Sequence, residues 1–158
     1  MTADRNLVVD ALTEEAREYG YKPVGNAYFY KEHSEVTCVL NLQRSAWGPE
    51  HYLNAGVALT RISTSKRPKF SALHILWRAD SLESEEHKSA LSKSLDLEFP
   101  MDDAERRRTI REEAYKYAFV HLAQCTDEAR SLEVAGRIGA AVKKAVFAKK
   151  DVENAVSH

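Results

Sequence analysis

The chain has 158 residues, of which 44% are hydrophobic, and its 23 Lys and Arg residues stand against 24 Asp and Glu residues, for a formal net charge of −1. This length predicts a single domain over residues 1–158 that buries about 70% of the surface of the unfolded chain. The balanced charge excludes the strong basic field that drives nonspecific nucleic-acid binding, so nucleic acid is not a favoured partner.

The cysteine count and the opening sequence indicate a cytoplasmic protein. Two cysteines, Cys38 and Cys125, do not make a disulfide framework and therefore indicate a reducing compartment. The opening sequence MTADRNLVVDALTEEAR lacks the uninterrupted apolar run of a secretory signal. No window approaches the roughly 18 apolar residues of a membrane span. We therefore expect a soluble protein without membrane association.

The first half of the chain predicts a helix followed by strands. Apolar residues at helical spacing predict a helix over residues 3–19. Short segments rich in aromatic and β-branched residues, separated by polar turns, predict strands over about 27–31, 36–43, 51–60 and 74–79. Such short connections favour an antiparallel meander of about four strands.

The second half predicts helices. Apolar residues recur at helical spacing over about 84–96, 102–125 and 127–150. Asp102, followed three residues later by Glu105, has the spacing of a capping box. About four helices are therefore expected to pack on one face of the sheet, which makes the fold α+β.

Alternation along two strands predicts an apolar face and a polar face. On the strand over 36–43, Val36, Cys38, Leu40 and Leu42 alternate with Thr37, Val39, Asn41 and Gln43. On the strand over 51–60, Leu53, Ala55, Val57 and Leu59 alternate with Tyr52, Asn54, Gly56 and Ala58. Burial of each large aliphatic contributes about 1.5–3 kcal/mol, whereas a cross-strand polar pair contributes about 0.2–1 kcal/mol. The aliphatics therefore set the parity of the pairing and turn the amides to the other face.

The face that carries these amides is the candidate binding surface, which we call the amide face. Its predicted binding residues, including two in the loop at its rim, are Asn41, Gln43, Ser45, Trp47, Tyr52, Asn54, His74 and Arg78. A buried amide without a partner costs about 1–3 kcal/mol. If the face is covered, its amides therefore require another segment of the chain, a partner protein or a small ligand. A solvated sheet face is the alternative.

Candidate chemistry is sparse, and the sequence indicates no catalytic residues, no metal site and no cofactor. The histidines are scattered, and no CxxC, HxH or HExxH spacing occurs. Cys38 alternates with aliphatic residues, which is typical of an inert core thiol. A general acid and base pair, such as Glu50 with His74, is not placed within proton-transfer distance by sequence alone. These observations favour a protein that is not an enzyme.

The hairpin motif provides a family resemblance. It reads N-x-Q-x-S-x-W-G and, after a short gap, Y-x-N-x-G-V, and its residues are Asn41, Gln43, Ser45, Trp47, Gly48, Tyr52, Asn54, Gly56 and Val57. With the preceding helix and the segment PVGNAYFYK, it resembles the bacterial domain of unknown function 4304 family over roughly the first half of the chain. The resemblance implies a small intracellular α+β protein and brings no established activity, cofactor or catalytic residue.

Three functions follow as hypotheses. The favoured one is a non-enzymatic protein-binding module, immunity-like or regulatory, that uses the amide face and binds a protein partner. The alternative is a small-molecule-binding protein or enzyme with a pocket around His74 and Arg78. The third is nucleic-acid binding through Lys66, Arg67, Lys69 and the basic last helix, which predicts steep salt dependence.

Overall fold

A computed structural model describes residues 3–83 and 90–147 of the chain. Within these residues, six strands form one antiparallel sheet whose order follows the chain from β1 to β6. The strands are β1 (Lys22–Val24), β2 (Tyr28–Glu32), β3 (Val36–Arg44), β4 (His51–Leu59), β5 (Ile75–Arg78) and β6 (Ala141–Val142). The predicted α+β class and antiparallel meander are confirmed, with two more strands than the expected four.

The helices form a layer on one face of the sheet. They are α1 (Ala3–Glu18), α2 (Ala90–Ser94), α3 (Asp103–Ala114), α4 (Val120–Leu122) and α5 (Glu128–Ile138). A π-helical turn, Tyr115–Phe119, joins α3 to α4. The Asp102 side chain accepts a hydrogen bond from the backbone N–H of Glu105, as the capping spacing predicts. In the described part of the chain, none of these helices combines the length and apolarity needed to cross a membrane.

The last predicted helix, over 127–150, is interrupted after Ile138, and within the described residues the helical conformation returns only at 145–147. Gly139 adopts a left-handed conformation, with φ of 70°, and ends α5. Residues 141–142 then pair with β5 as strand β6, placing Val142 opposite Ile75. Local composition favours a helix here, but hydrogen bonding to the free edge of β5 decides the conformation. Residues 148–150 lie outside the described residues.

Two other predicted boundaries differ from the structure. Strand β1 precedes the predicted strands, and its backbone pairs with β2 despite Pro23, because an edge strand tolerates a missing donor. The predicted helix over 84–96 is described only from residue 90, where α2 begins, and residues 84–89 lie outside the described residues.

The main core lies between the sheet and the helices. The apolar residues of β3 and β4 face it, and Leu42 lies opposite Leu53 while Leu40 lies opposite Ala55. From the helices, this core includes Leu12, Ile110, Phe119, Leu122 and Val134. Because each strand places every second side chain on this face, one register buries the whole row of aliphatic residues.

The opposite face of the sheet is half covered by the chain itself. A smaller apolar cluster there contains Tyr30, Val39, Ala58 and Leu73. The Tyr30 hydroxyl donates to the carbonyl of Pro68 at 3.1 Å, and the Tyr28 hydroxyl accepts the N–H of Phe70 at 3.0 Å. These contacts hold the connection between β4 and β5 against the sheet, so the amides occupy the remaining half of this face.

Gly56 allows β5 to pack closely against β4. It pairs with Leu76, and a Cβ added at Gly56 would lie 2.3 Å from the carbonyl oxygen of Ile75 and 2.8 Å from Cδ1 of Leu73. The backbone of β5 therefore approaches β4 closely at this glycine.

We predict that Gly56→Ala lowers the free energy of unfolding by about 1–3 kcal/mol or more, because β5 must move away from the added methyl group. Gly136→Ala in α5 is the matched control, since apart from the adjacent backbone of α5 no atom lies within 4 Å of its added Cβ, and it should stabilise the protein by up to about 1 kcal/mol. Urea denaturation measures both. Equal stability of the Gly56 variant and the natural chain would contradict the close packing.

Candidate functional site

Strand register brings five of the predicted residues together. Asn41 of β3 lies opposite Asn54 of β4, and Gln43 lies opposite Tyr52. On the other side of β4, Asn54 lies opposite Arg78 of β5. The amides and Arg78 therefore share the face that points away from the helices, as the alternation predicts.

The amides bind one another. The Asn54 side-chain nitrogen donates to Asn41 Oδ1 at 2.9 Å and to Gln43 Oε1 at 3.0 Å. The Asn41 side-chain nitrogen donates in turn to the carbonyl of Ala27 at 3.2 Å. Asn54 is 1% exposed and Asn41 is 8% exposed. Of the partners that the sequence left open, the chain itself supplies these. The network links β3, β4 and the turn before β2 through hydrogen bonds, of which the Asn54–Asn41 bond is buried.

Arg78 and Tyr52 form the outer layer of the amide face. The Arg78 guanidinium lies 4.4 Å from the centre of the Tyr52 ring, a cation–π contact. It also binds the Asp80 carboxylate with two hydrogen bonds of 3.0 and 2.7 Å. The Tyr52 hydroxyl donates to Glu50 Oε2 at 3.4 Å. Both side chains are thereby held in one orientation on the surface.

The loop between β3 and β4 presents Trp47 to solvent. The Ser45 hydroxyl accepts the backbone N–H of Trp47 at 3.1 Å, and the Ser45 N–H donates to the carbonyl of Glu50 at 2.8 Å. Trp47 is 96% exposed, so its ring does not pack on the sheet. Ser45 thus orders the loop, and the indole projects beyond the amide face.

His74 lies apart from Arg78, although His74 directly precedes β5 and Arg78 ends it. The two residues are four positions apart, which corresponds to about 13 Å along an extended chain. His74 is buried, and its Nδ1 accepts the N–H of Leu59 at 2.9 Å. Burial lowers the pKa of His74, and Lys143 and Arg61 lower it further. The ring is therefore used as a neutral hydrogen-bond acceptor near cations, which does not match an acid–base pair.

A second polar cluster, which the sequence does not predict, lies beside the π-helical turn. Glu83 Oε2 accepts the N–H of Leu91 at 3.1 Å. Glu83 Oε1 and Glu113 Oε2 are buried and have no hydrogen-bond partner among residues 3–83 and 90–147. Burial raises the pKa of Glu83, and the neighbouring Glu113 and Asp80 carboxylates raise it as well. Ionisation of Glu83 is therefore less favourable than that of an exposed glutamate. No motif links Glu83 to Glu113, because they are thirty residues apart and meet only through tertiary packing.

A groove between α1 and α3 is another concave feature near charged groups, with a volume of about 680 Å³. Two of the arginines that line it have internal partners. Arg107 pairs with Glu14, and Arg111 binds Glu14, Glu15 and Glu18 of α1. These ion pairs join the two helices, so the groove is a structural junction. Across residues 3–83 and 90–147, no group of three or more His, Cys, Asp or Glu side chains could hold a metal ion.

Comparison with known proteins yields one family. The model of the family described as "Domain of unknown function (DUF4304)" matches residues 12–124, which include the sheet from β1 to β5 and the π-helical turn. No curated protein and no solved structure matches the chain.

We predict that Asn54→Ala lowers the free energy of unfolding by about 1–3 kcal/mol, because the buried Oδ1 of Asn41 loses its donor. Gln43→Ala is the control on the same network. Its side chain is exposed, so the change should stay within about 0.5 kcal/mol. Both are measured by urea denaturation, and equal losses would contradict the central position of Asn54.

We predict that Glu83→Gln stabilises the protein at pH 8 and that this advantage shrinks at pH 4. The folded-state pKa of Glu83 is raised, so the natural chain loses stability as pH rises through that pKa and the carboxylate ionises. The glutamine stays neutral and can still accept from Leu91. The exposed Glu112→Gln variant serves as control, and thermal unfolding across this pH range provides the measurement. An advantage for Glu83→Gln that is independent of pH would contradict the assignment.

Proposed function

We propose that this chain, which belongs to the domain of unknown function 4304 family, is a non-enzymatic protein-binding module that engages its partner through Trp47 and the adjoining amide face. The family description names no activity, so support comes from the geometry of the chain itself.

The exposure of Trp47 carries the proposed function. A tryptophan presents roughly 150–250 Å² of mostly apolar surface, which is unfavourable to leave in water. Trp47 is 96% exposed at the end of the hairpin formed by β3 and β4, on a loop held by the Ser45 and Glu50 hydrogen bonds. Exposed tryptophans held on ordered supports are typical anchors of protein interfaces.

The surface next to Trp47 suits the rim of such an interface. Gln43 and Arg44 are exposed at the end of β3, and the Tyr52 and Arg78 pair lies on the same sheet face as Gln43. Tyrosine, tryptophan and arginine are the residues that most often carry interface energy. Asn41 and Asn54, buried beneath them, act as a rigid support that keeps this surface in one shape.

An immunity-like or regulatory role is the form of protein binding that we favour. It rests on an analogy between small charged α+β proteins and not on a shared site. A small-molecule site around His74 and Arg78 is less well supported, because the two side chains are separated along the sheet and His74 Nδ1 is already bonded to Leu59.

We predict that Trp47→Ala weakens binding to the protein partner by about 30-fold or more, as loss of a central aromatic anchor does. The stability of the chain should be nearly unchanged, because the ring makes no core contact. Phe147→Ala is the matched control, since Phe147 is a second exposed aromatic at 54% exposure, and it should bind like the natural chain.

The measurement begins with capture of partners by the immobilised natural chain and both variants, followed by calorimetry with the purified partner. Equal retention by the Trp47 and Phe147 variants would overturn the role of Trp47. Failure of any protein to bind reproducibly would overturn the protein-binding function.

A further inference from the structure

A second concave surface lies at the edge of the sheet, away from Trp47. It is a cavity of about 340 Å³ between β1 and the loop that follows β4. Its lining includes Lys22, Tyr30, Lys31, Glu32, Lys66 and Arg67. Glu32, which lines the cavity, pairs with Thr37 near the start of β3, whereas Trp47 follows the end of β3. Strand β3 has nine residues, so its length of about 27 Å separates the two surfaces.

The loop over this cavity is ordered by its own hydrogen bonds. The Ser63 hydroxyl donates to the carbonyl of Ser65, and the Ser65 hydroxyl accepts the N–H of Arg67 at 3.1 Å. The buried Tyr30 side chain donates to the carbonyl of Pro68 at 3.1 Å. Lys66 and Arg67 are therefore held at the mouth of the cavity before any ligand binds, which reduces the entropy cost of binding.

Charge is concentrated in this cavity. Four cationic side chains line it with one carboxylate, Glu32, although the whole chain has a net charge of −1. The Lys31 ammonium donates to the carbonyl of Tyr19 at 2.7 Å. Within the described ranges, no ion pair involves Lys22, Lys66 or Arg67. Their mutual repulsion is relieved when an anion enters.

We propose that this cavity binds a small phosphorylated molecule. Arginine and lysine donate charge-assisted hydrogen bonds to phosphate oxygens, and a guanidinium can bind two of them at once. A volume of about 340 Å³ is near the lower limit for small-molecule sites and suits a sugar phosphate. Val24 and the Tyr30 ring supply an apolar wall for the rest of the molecule. The small volume favours this ligand over a nucleic-acid strand, which requires an extended basic track.

Calorimetry on the full chain at physiological salt tests the assignment, with ribose 5-phosphate, inorganic phosphate and ribose as probes. Saturable binding is expected for ribose 5-phosphate, weaker binding for inorganic phosphate, and none for ribose. Arg67→Gln and Lys22→Gln should each weaken ribose 5-phosphate binding about tenfold, because each removes a charged donor. Glu32→Gln should strengthen it severalfold, because it removes the opposing charge.

Lys69→Gln is the matched control. Lys69 belongs to the same loop, but its ammonium lies over the Tyr28 ring, 4.8 Å from the centre, and it does not line the cavity. Its variant should bind within twofold of the natural chain. Losses as large as those of Arg67→Gln would indicate general charge attraction and overturn the site. Absence of saturable binding, or tighter binding of a single-stranded oligonucleotide than of ribose 5-phosphate, would also overturn it. Trp47→Ala should leave phosphate binding unchanged, so this test is independent of the protein-binding function.

Discussion

The pairing of β3 with β4 is the constraint on which the rest of the structure depends. In one register, Leu42 meets Leu53 on the helix side and Asn41 meets Asn54 on the other. A shift of one residue would expose the aliphatic row and bury the amides under the helices, a change that costs far more than any polar pair returns. The core and the amide face are thus two consequences of a single hydrogen-bond register.

The two faces of the sheet differ in what they bury. The helix side is a continuous apolar core, whereas the other side combines a small apolar cluster around Tyr30 with the amide network around Asn54. Since the buried amides satisfy each other, their main effect is to rigidify the strands. The two proposed binding surfaces lie at opposite ends of this face, at the exposed Trp47 and at the basic cavity beside Arg67.

The helical half relies on buried polar groups as well as on apolar packing. The Arg106 side chain is almost fully buried, and its guanidinium donates to carbonyl oxygens at the end of α2 and just beyond it, among them Ser94 at 2.9 Å and Asp96 at 2.8 Å. Arg106 therefore satisfies these carbonyl oxygens from α3. Glu113, which lies in the second polar cluster with Glu83, is near the end of α3, and the π-helical turn follows directly. Such turns often mark functional positions.

The sequence by itself determined the α+β class, the hairpin and the parity of its side chains, because alternation and aliphatic burial act locally and are large compared with competing terms. It also located the Asp102 cap. Tertiary structure alone decided the partners of Asn54, the direction of Trp47, the separation of His74 from Arg78, and the change from helix to strand at residues 141–142. Each of these depends on which distant segments meet, and no local pattern encodes those encounters.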